Sequence, residues 1–333
     1  MRLSLAWLIL LCSLPAALAQ FSARGEVAFG ADGALSQAFP AQVGWALSGH
    51  LHADYRVLAS PGNRIDPVTL RLVLTPAVRF SQEVKGDLGL SELYIAFSLR
   101  SEAATLLGAL DLSLGLARLP LEYARLSLPF SLEPTGRFGQ RQGVPGVQLT
   151  WYADDWRLRG ALVYRQGLVP LLSLRRSFGG FELEAHALYA EHPVFGLGGS
   201  GLIGDLVIYG EGWLLLTPLE ARGALGLTGF WEDALWTLEA AWLPPAEKLF
   251  SLRSDPLLAA RPVVLGQLAL PLGEAGSLSL FASGAFDPDA LRFTVLASYS
   301  HLEAEREVSA SLRAHLGPEP PVVGLSLKVT GFF

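Results

Sequence analysis

The side chains able to do chemistry in this chain sit at every second position. In the stretch HLHADYR, His50, His52, Asp54 and Arg56 share one parity. Further on, Arg157, Arg159 and Arg165 share a parity, and so do Glu182 and Glu184. Two histidines spaced by two can ligate a metal, but no Asp, Glu or Cys cluster accompanies them, and neither a metal site nor a cofactor is expected. A hydrolase would need a serine, a histidine and a carboxylate brought together. No motif joins them here: His186 and His315 read as wall residues, His192 and His301 as turn residues. No glycine loop of phosphate-binding spacing and no basic run suited to nucleic acid occurs. The one cysteine, Cys12, lies in the N-terminal apolar run, so disulfide and thiol chemistry are not expected of the remainder. What is left is charge of both signs set out in rows, which is the chemistry of a polar wall.

Rows at period two require strands, whose successive side chains point to opposite faces. In VGWALSGHLHADYRV, Val43, Trp45, Leu47, Leu51, Tyr55 and Val57 lie on the face opposite the histidines. In WRLRGALVYR, Trp156, Leu158, Leu162 and Tyr164 oppose the arginines, and in FELEAHALY the set Phe181, Leu183, Ala185, Ala187 and Tyr189 opposes the glutamates. The polar face also takes in Arg71, Asp111, Glu211, Arg222, Glu239, Arg292, Arg313 and Lys328. The quoted segments carry no charge on the apolar face. This division resolves a puzzle of composition. The chain is 51% hydrophobic and 17% charged with a mean hydropathy of +0.37, against roughly 25% charged in an ordinary soluble domain. Beyond the N-terminus, however, it has no apolar run of the roughly 17–25 residues a membrane helix needs. Alternating strands with one face in lipid and the other in water satisfy both facts.

The N-terminal MRLSLAWLILLCSLPAALAQ, with Arg2, an apolar run and Ala17-Leu18-Ala19, predicts a cleaved signal peptide over 1–19, leaving 20–333 as one domain. On the apolar face, aromatics bracket strands about eight residues apart: Phe21 and Phe29, Trp156 and Tyr164, Phe181 and Tyr189. Eight steps of roughly 3.3 Å give about 26 Å, or roughly 20 Å of height once the strand tilts, close to the apolar band of about 25 Å between the aromatic girdles of outer-membrane barrels. Lipid tolerates no open sheet edge, so the last strand must pair with the first.

The predicted fold is therefore all-β, a transmembrane antiparallel barrel. A count of seventeen strands would break the even parity of bacterial barrels. A short glycine-rich strand near 194–201 restores it, giving eighteen strands, with sixteen as the alternative. Tight turns at 154–155, 179–180, 204–205, 232–233 and 302–305 then share one end, and long extracellular loops near 118–145 and 244–261 share the other. The first of these, with Arg118, Glu122, Arg125, Glu133, Arg137 and Arg141, is the candidate for narrowing the interior. Arg157, Arg159 and Arg165 are expected as a basic column on the interior wall, with Glu182 and Glu184, on the second strand after it, as an acidic column, the two opposed columns setting up a transverse field in the pore.

Two resemblances add to this. LGALDLSLGLARLPLEYARL followed by GRFGQRQGVPGVQLTWYADDWRLRGAL resembles the region of large substrate-channel porins where a strand enters a long loop and returns through a tight turn. Leu114 stands where those families often have a tryptophan before glycine. The C-terminal alternation Val323, Leu325, Leu327, Val329, closing on Phe333, resembles the signal that barrel-assembly machinery reads in the outer membrane. Together they imply a bacterium with two membranes, outer-membrane lipid around the barrel, and passive diffusion of small hydrophilic solutes through it. The other readings are an exporter of an anionic polysaccharide, a barrel hydrolase and a structural barrel. No enzyme is expected.

Overall fold

The computed structural model describes residues 19–36, 39–57, 68–80, 84–100, 109–127, 129–134, 142–217, 219–243, 262–287, 290–303, 306–317 and 322–332, and before residue 90 it gives backbone and register only. Its strands are β1 (Ala19–Ser36), β2 (Phe39–Val57), β3 (Val68–Phe80), β4 (Val84–Arg100), β5 (Ala109–Ala117), β6 (Val144–Ala153), β7 (Trp156–Tyr164), β8 (Leu168–Phe178), β9 (Phe181–Ala190), β10 (His192–Ile203), β11 (Leu206–Leu216), β12 (Leu219–Trp231), β13 (Ala234–Trp242), β14 (Val263–Leu272), β15 (Gly276–Asp287), β16 (Ala290–Glu303), β17 (Arg306–Leu316) and β18 (Val322–Phe332). Each pairs antiparallel with the next in a single eighteen-stranded sheet. β1 pairs with β18 as well, from Glu26↔Phe332 to Ser36↔Val322, so the order of pairing returns on itself. The glycine-rich strand that fixes the even count is β10, longer than its sequence signal suggested. His192 and His301, expected in turns, belong to strands, paired with Ala190 and Val308.

Antiparallel succession makes the connections alternate between the two ends. The turns at 154–155, 179–180, 204–205 and 232–233 share one end, and the connections from β5 to β6 and from β13 to β14 leave from the other. Of the turn expected at 302–305, Leu302 and Glu303 belong to β16, and 304–305 lie outside the described residues. Gly179 and Gly180 both take positive φ, 54° and 84°. That is the two-residue hairpin turn whose twist matches its strands and which favours glycine.

The two faces of the sheet differ as the alternation requires. Leu162, Leu174, Leu183, Leu197, Leu225, Leu238, Leu280 and Leu312 are exposed on the outer face. Exposed rings form two bands: Trp156, Phe178, Phe181 and Trp231 toward the turn end, and Tyr164, Tyr189, Trp242 and Phe293 toward the other. Arg176 lies over the Trp156 ring at 4.9 Å, and Phe178 stacks on Phe181.

The inner face departs from a simple polar wall. Val163, Val169, Leu171, Leu188, Val194, Leu215, Val263 and Leu265 point inward and are buried. Nothing in a water-filled interior would bury them. The chain between β5 and β6 does.

Candidate functional site

After Ala117 the chain does not continue past the rim but turns onto the inner face. Gly115, at φ +132°, sits so close to the backbone of Leu93 and Tyr94 that a side chain there would collide with it, so only glycine suits this bend before the exit. Residues 118–127 and 129–134 then run across the wall in non-regular conformation. The base is closed by Arg118, whose guanidinium meets the Glu133 carboxylate at 2.7 Å. Glu133 also accepts the Leu119 amide at 2.7 Å. The hydrogen bond to Glu133, the leading cause, raises the Arg118 pKa above its ordinary value. Both residues were expected in the loop, and it is their pairing that folds it back.

Alternate residues of the segment supply the cover that the inward apolar positions need. Leu119, Leu121, Phe130 and Leu132 are nearly fully buried and cluster with Val144, Val163, Leu171, Leu188, Trp213 and Leu215 of the wall. Phe130 stacks on Trp213 with centroids 4.4 Å apart, and Trp213 stacks in turn on His186 at 5.1 Å. Farther round the ring, Ala124 and Leu126 pack against Ala224, Ala241, Val263, Leu265 and Ala285. Where the segment comes closest the wall is glycine. A Cβ on Gly198 would meet the Tyr123 ring at 2.6 Å, and within the wall one on Gly226 of β12 would strike the neighbouring Tyr209 of β11.

Polar contacts fix the height of the segment. Arg159 donates to the Pro120 carbonyl at 3.1 Å, Arg165 to that of Leu132 at 2.9 Å, and Gln148 to that of Arg118 at 3.3 Å. Glu239 accepts the amides of Arg125, Leu126 and Ser127, and Glu211 those of Tyr123 and Ala124. The Tyr123 hydroxyl donates to Glu184 at 3.2 Å. Burial first, then the Glu184 charge, pushes that hydroxyl up to about 12. Arg125 is exposed and stands over the Tyr209 ring at 4.9 Å.

The arginine and glutamate columns are not opposed across the interior. They stand two strands apart and pair over β8. Glu184 receives Arg157 at 2.9 Å and Arg159 at 3.2 Å, and Arg175 pairs with Glu182. Strands lie about 4.8 Å apart, so two strands is within the combined reach of Arg and Glu side chains, whereas an opposing wall is half the ring away. Arg159, Glu184 and Glu211 face inward but are buried. A cavity of about 270 Å³ remains between segment and wall, lined by Glu122, Tyr123, Arg125, Arg157, Arg175 and Glu182 among others.

Of the remaining candidates, Arg313 and Lys328 are exposed on the inner face, and Asp111 hydrogen-bonds the Tyr152 hydroxyl. His50, His52, Asp54 and Arg56 belong to β2, placed in register with Glu26, Arg24, Ser22 and Gln20, and their side chains lie outside the described residues. Arg137, Arg141 and Phe333 also lie outside them. Val323, Leu325, Leu327 and Val329 are exposed on one face of β18. Phe130, Tyr123, Tyr209 and Trp213 were not anticipated. Their signal was the loss of alternation in strands such as β14, where VVLGQLAL is apolar on both faces. Ser173, His186 and Glu184 do come together, but Ser173 at 2.8 Å and Glu184 at 3.9 Å both approach Nδ1, and all three are buried. A nucleophile and its orienting acid must take opposite nitrogens, so this is not a catalytic triad. Among the described residues no group of His, Cys, Asp or Glu is placed to hold a metal ion.

No protein-family model matches the chain, and no curated protein matches it in sequence. Solved structures do match it in fold. The chain shares the fold of bacterial outer-membrane proteins. Its similarity to OpdQ of Pseudomonas aeruginosa reaches a TM-score of 0.67 at 9% identity, covering 94% of this chain and 99% of that one. The outer membrane protein opdK of the same organism gives 0.63 at 8% identity, over 94% and 98%. OccAB4 of Acinetobacter baumannii gives 0.61 at 11% identity, over 94% and 98%.

Proposed function

We propose that this chain is an outer-membrane channel for passive diffusion of small hydrophilic solutes, narrowed by residues 118–134. The observation that carries the reading is the asymmetry of the inner face. The segment covers the wall from about β6 to β15, while β17 and β18 keep Arg313 and Lys328 exposed. A ring of eighteen strands is too wide for wall side chains to fill, and one segment lying on one side narrows such a ring without plugging it. The shared fold with outer-membrane proteins supports the same location for this chain, in a bacterium with two membranes, reached by way of the 1–19 signal. The outward row Val323, Leu325, Leu327 and Val329 with Phe333 would serve the assembly machinery, and the ends bearing 118–145 and 244–261 would face outward from the cell.

The paired arginines and glutamates largely cancel in the field a solute meets. The ion preference of the channel is therefore weak, decided by groups without a wall carboxylate such as Arg125. Purified protein in a planar bilayer tests this. Stepwise conductance with a reversal potential near zero across a salt gradient is expected, moving toward cation preference in Arg125→Ala. Folded, inserted protein that gives no conductance steps would refute the channel.

A further inference from the structure

Five consecutive backbone amides, those of Tyr123 to Ser127, turn to the wall and end on two carboxylates. Glu211 Oε2 accepts from Tyr123 at 2.5 Å and from Ala124 at 3.4 Å. Glu239 Oε2 accepts from Arg125 at 2.9 Å and from Leu126 at 3.0 Å, and its Oε1 accepts from Ser127 at 2.7 Å. The Tyr209 hydroxyl donates to the same Oε2 at 3.0 Å. The two glutamates sit on β11 and β13, and β12 between them presents only Ala224 and Gly226, so the segment can approach. Both are buried, at 7% and 2% exposure. A buried carboxylate must be satisfied by donors, and an ionised one accepts several at once, each bond strengthened by its charge. Non-helical backbone likewise needs acceptors for its amides when water is excluded. Segment and wall supply one another's partners at these atoms, while Glu211 Oε1 is left without a hydrogen-bond partner.

We propose that Glu211 and Glu239 are positioning residues that clamp the segment to the wall and thereby set the bore of the channel. They do not act as charges that a passing solute meets. The proposal rests on the channel reading above and adds to it which residues hold the narrowing in place. The arginine contacts at Pro120 and Leu132 hold the two limbs of the segment, whereas the clamp holds its far reach, the part that extends round the ring toward β14.

The test uses the full chain refolded in lipid, with Glu239→Gln and Glu211→Gln and, from the segment side, Ser127→Pro, which takes away the amide that Glu239 Oε1 accepts and leaves the Arg125–Leu126 bond a trypsin site. The proline removes one amide donor without touching the barrel wall. Two readouts are taken. In planar bilayers the variants should raise unitary conductance about two-fold, as expected if the open cross-section roughly doubles, and Glu239→Asp should restore most of the wild-type value. Independently of conduction, trypsin should cut after Arg125 in the variants and spare that bond in the wild type. In a chain lacking residues 122–131, Glu239→Gln should change nothing further. Unchanged conductance and unchanged protection at Arg125 in the glutamine and proline variants would overturn the clamp, as would an equal effect of Glu239→Gln in the shortened chain. If Glu239→Gln does not assemble, Ser127→Pro decides by the same readouts. A wild type that protects Arg125 but never conducts would defeat the channel reading and leave the clamp standing.

Discussion

Tyr123 shows how one side chain joins segment and wall. Its amide is held by Glu211, its ring lies on Gly198 and its hydroxyl donates to Glu184. Because burial raises the hydroxyl from 10.0 to about 12, the protonated form is the one the folded chain favours. The sign follows. The stabilisation is complete below the ordinary tyrosine value and disappears as pH rises through about 12. We therefore expect the segment to loosen between about pH 10 and 12, read as trypsin sensitivity after short alkaline exposure. Tyr123→Phe has no such proton to lose. The difference in tyrosinate absorbance between wild type and Tyr123→Phe should titrate near 12. A difference titrating near 10.0 would mean the hydroxyl is solvated and the contact absent.

At the scale of the strand, the chain contains two kinds of apolar residue that look alike in sequence. Leu162 and Leu280 are exposed on the outer face, and Leu265 is fully buried on the inner one under Leu126. An arginine in the middle of the lipid band of such a barrel costs about 2–4 kcal/mol. Leu162→Arg and Leu280→Arg should accordingly lower refolding yield in lipid vesicles, while the inward Ser279→Arg should refold nearly as wild type. Leu265→Arg separates the two kinds. It should refold well, since its face never meets lipid, yet dislodge the segment and free the backbone bond after Arg125 for cleavage by trypsin. Equal refolding losses for Leu265→Arg and Leu162→Arg would reverse the assignment of the inner face.

At the scale of the whole molecule, the decisive contact is the seam between β1 and β18, where Ala31 is the register partner of Leu327. Cysteines at these two positions should bridge on oxidation, since paired strands bring Cα atoms within the roughly 4.4–6.8 Å a disulfide spans. A pair displaced by two residues, at Ala31 and Val329, should not. The bridged form is read by mobility on non-reducing gels after heating. Efficient bridging of the displaced pair would mean a different register and, with it, a different shear of the ring.

The strand count, the even parity, the long connection after β5 and the outward face were legible from the sequence. Each of them rests on a local property, the contrast between neighbouring side chains repeated at period two, and lipid against water enforces that contrast on every strand separately. Glu184 and Arg157 could be assigned to the interior in the same way, but their pairing across β8 could not, because it depends on which strands are neighbours and how near. The inward turn of residues 118–134 was harder still. Its amides end on glutamates 88 and 112 residues distant, and its leucines fill a wall whose apolar inner residues read in isolation as irregular alternation. Local periodicity records the medium a strand faces. What lies inside the ring is set by contacts between remote parts of the chain, and those exist only once the ring has closed.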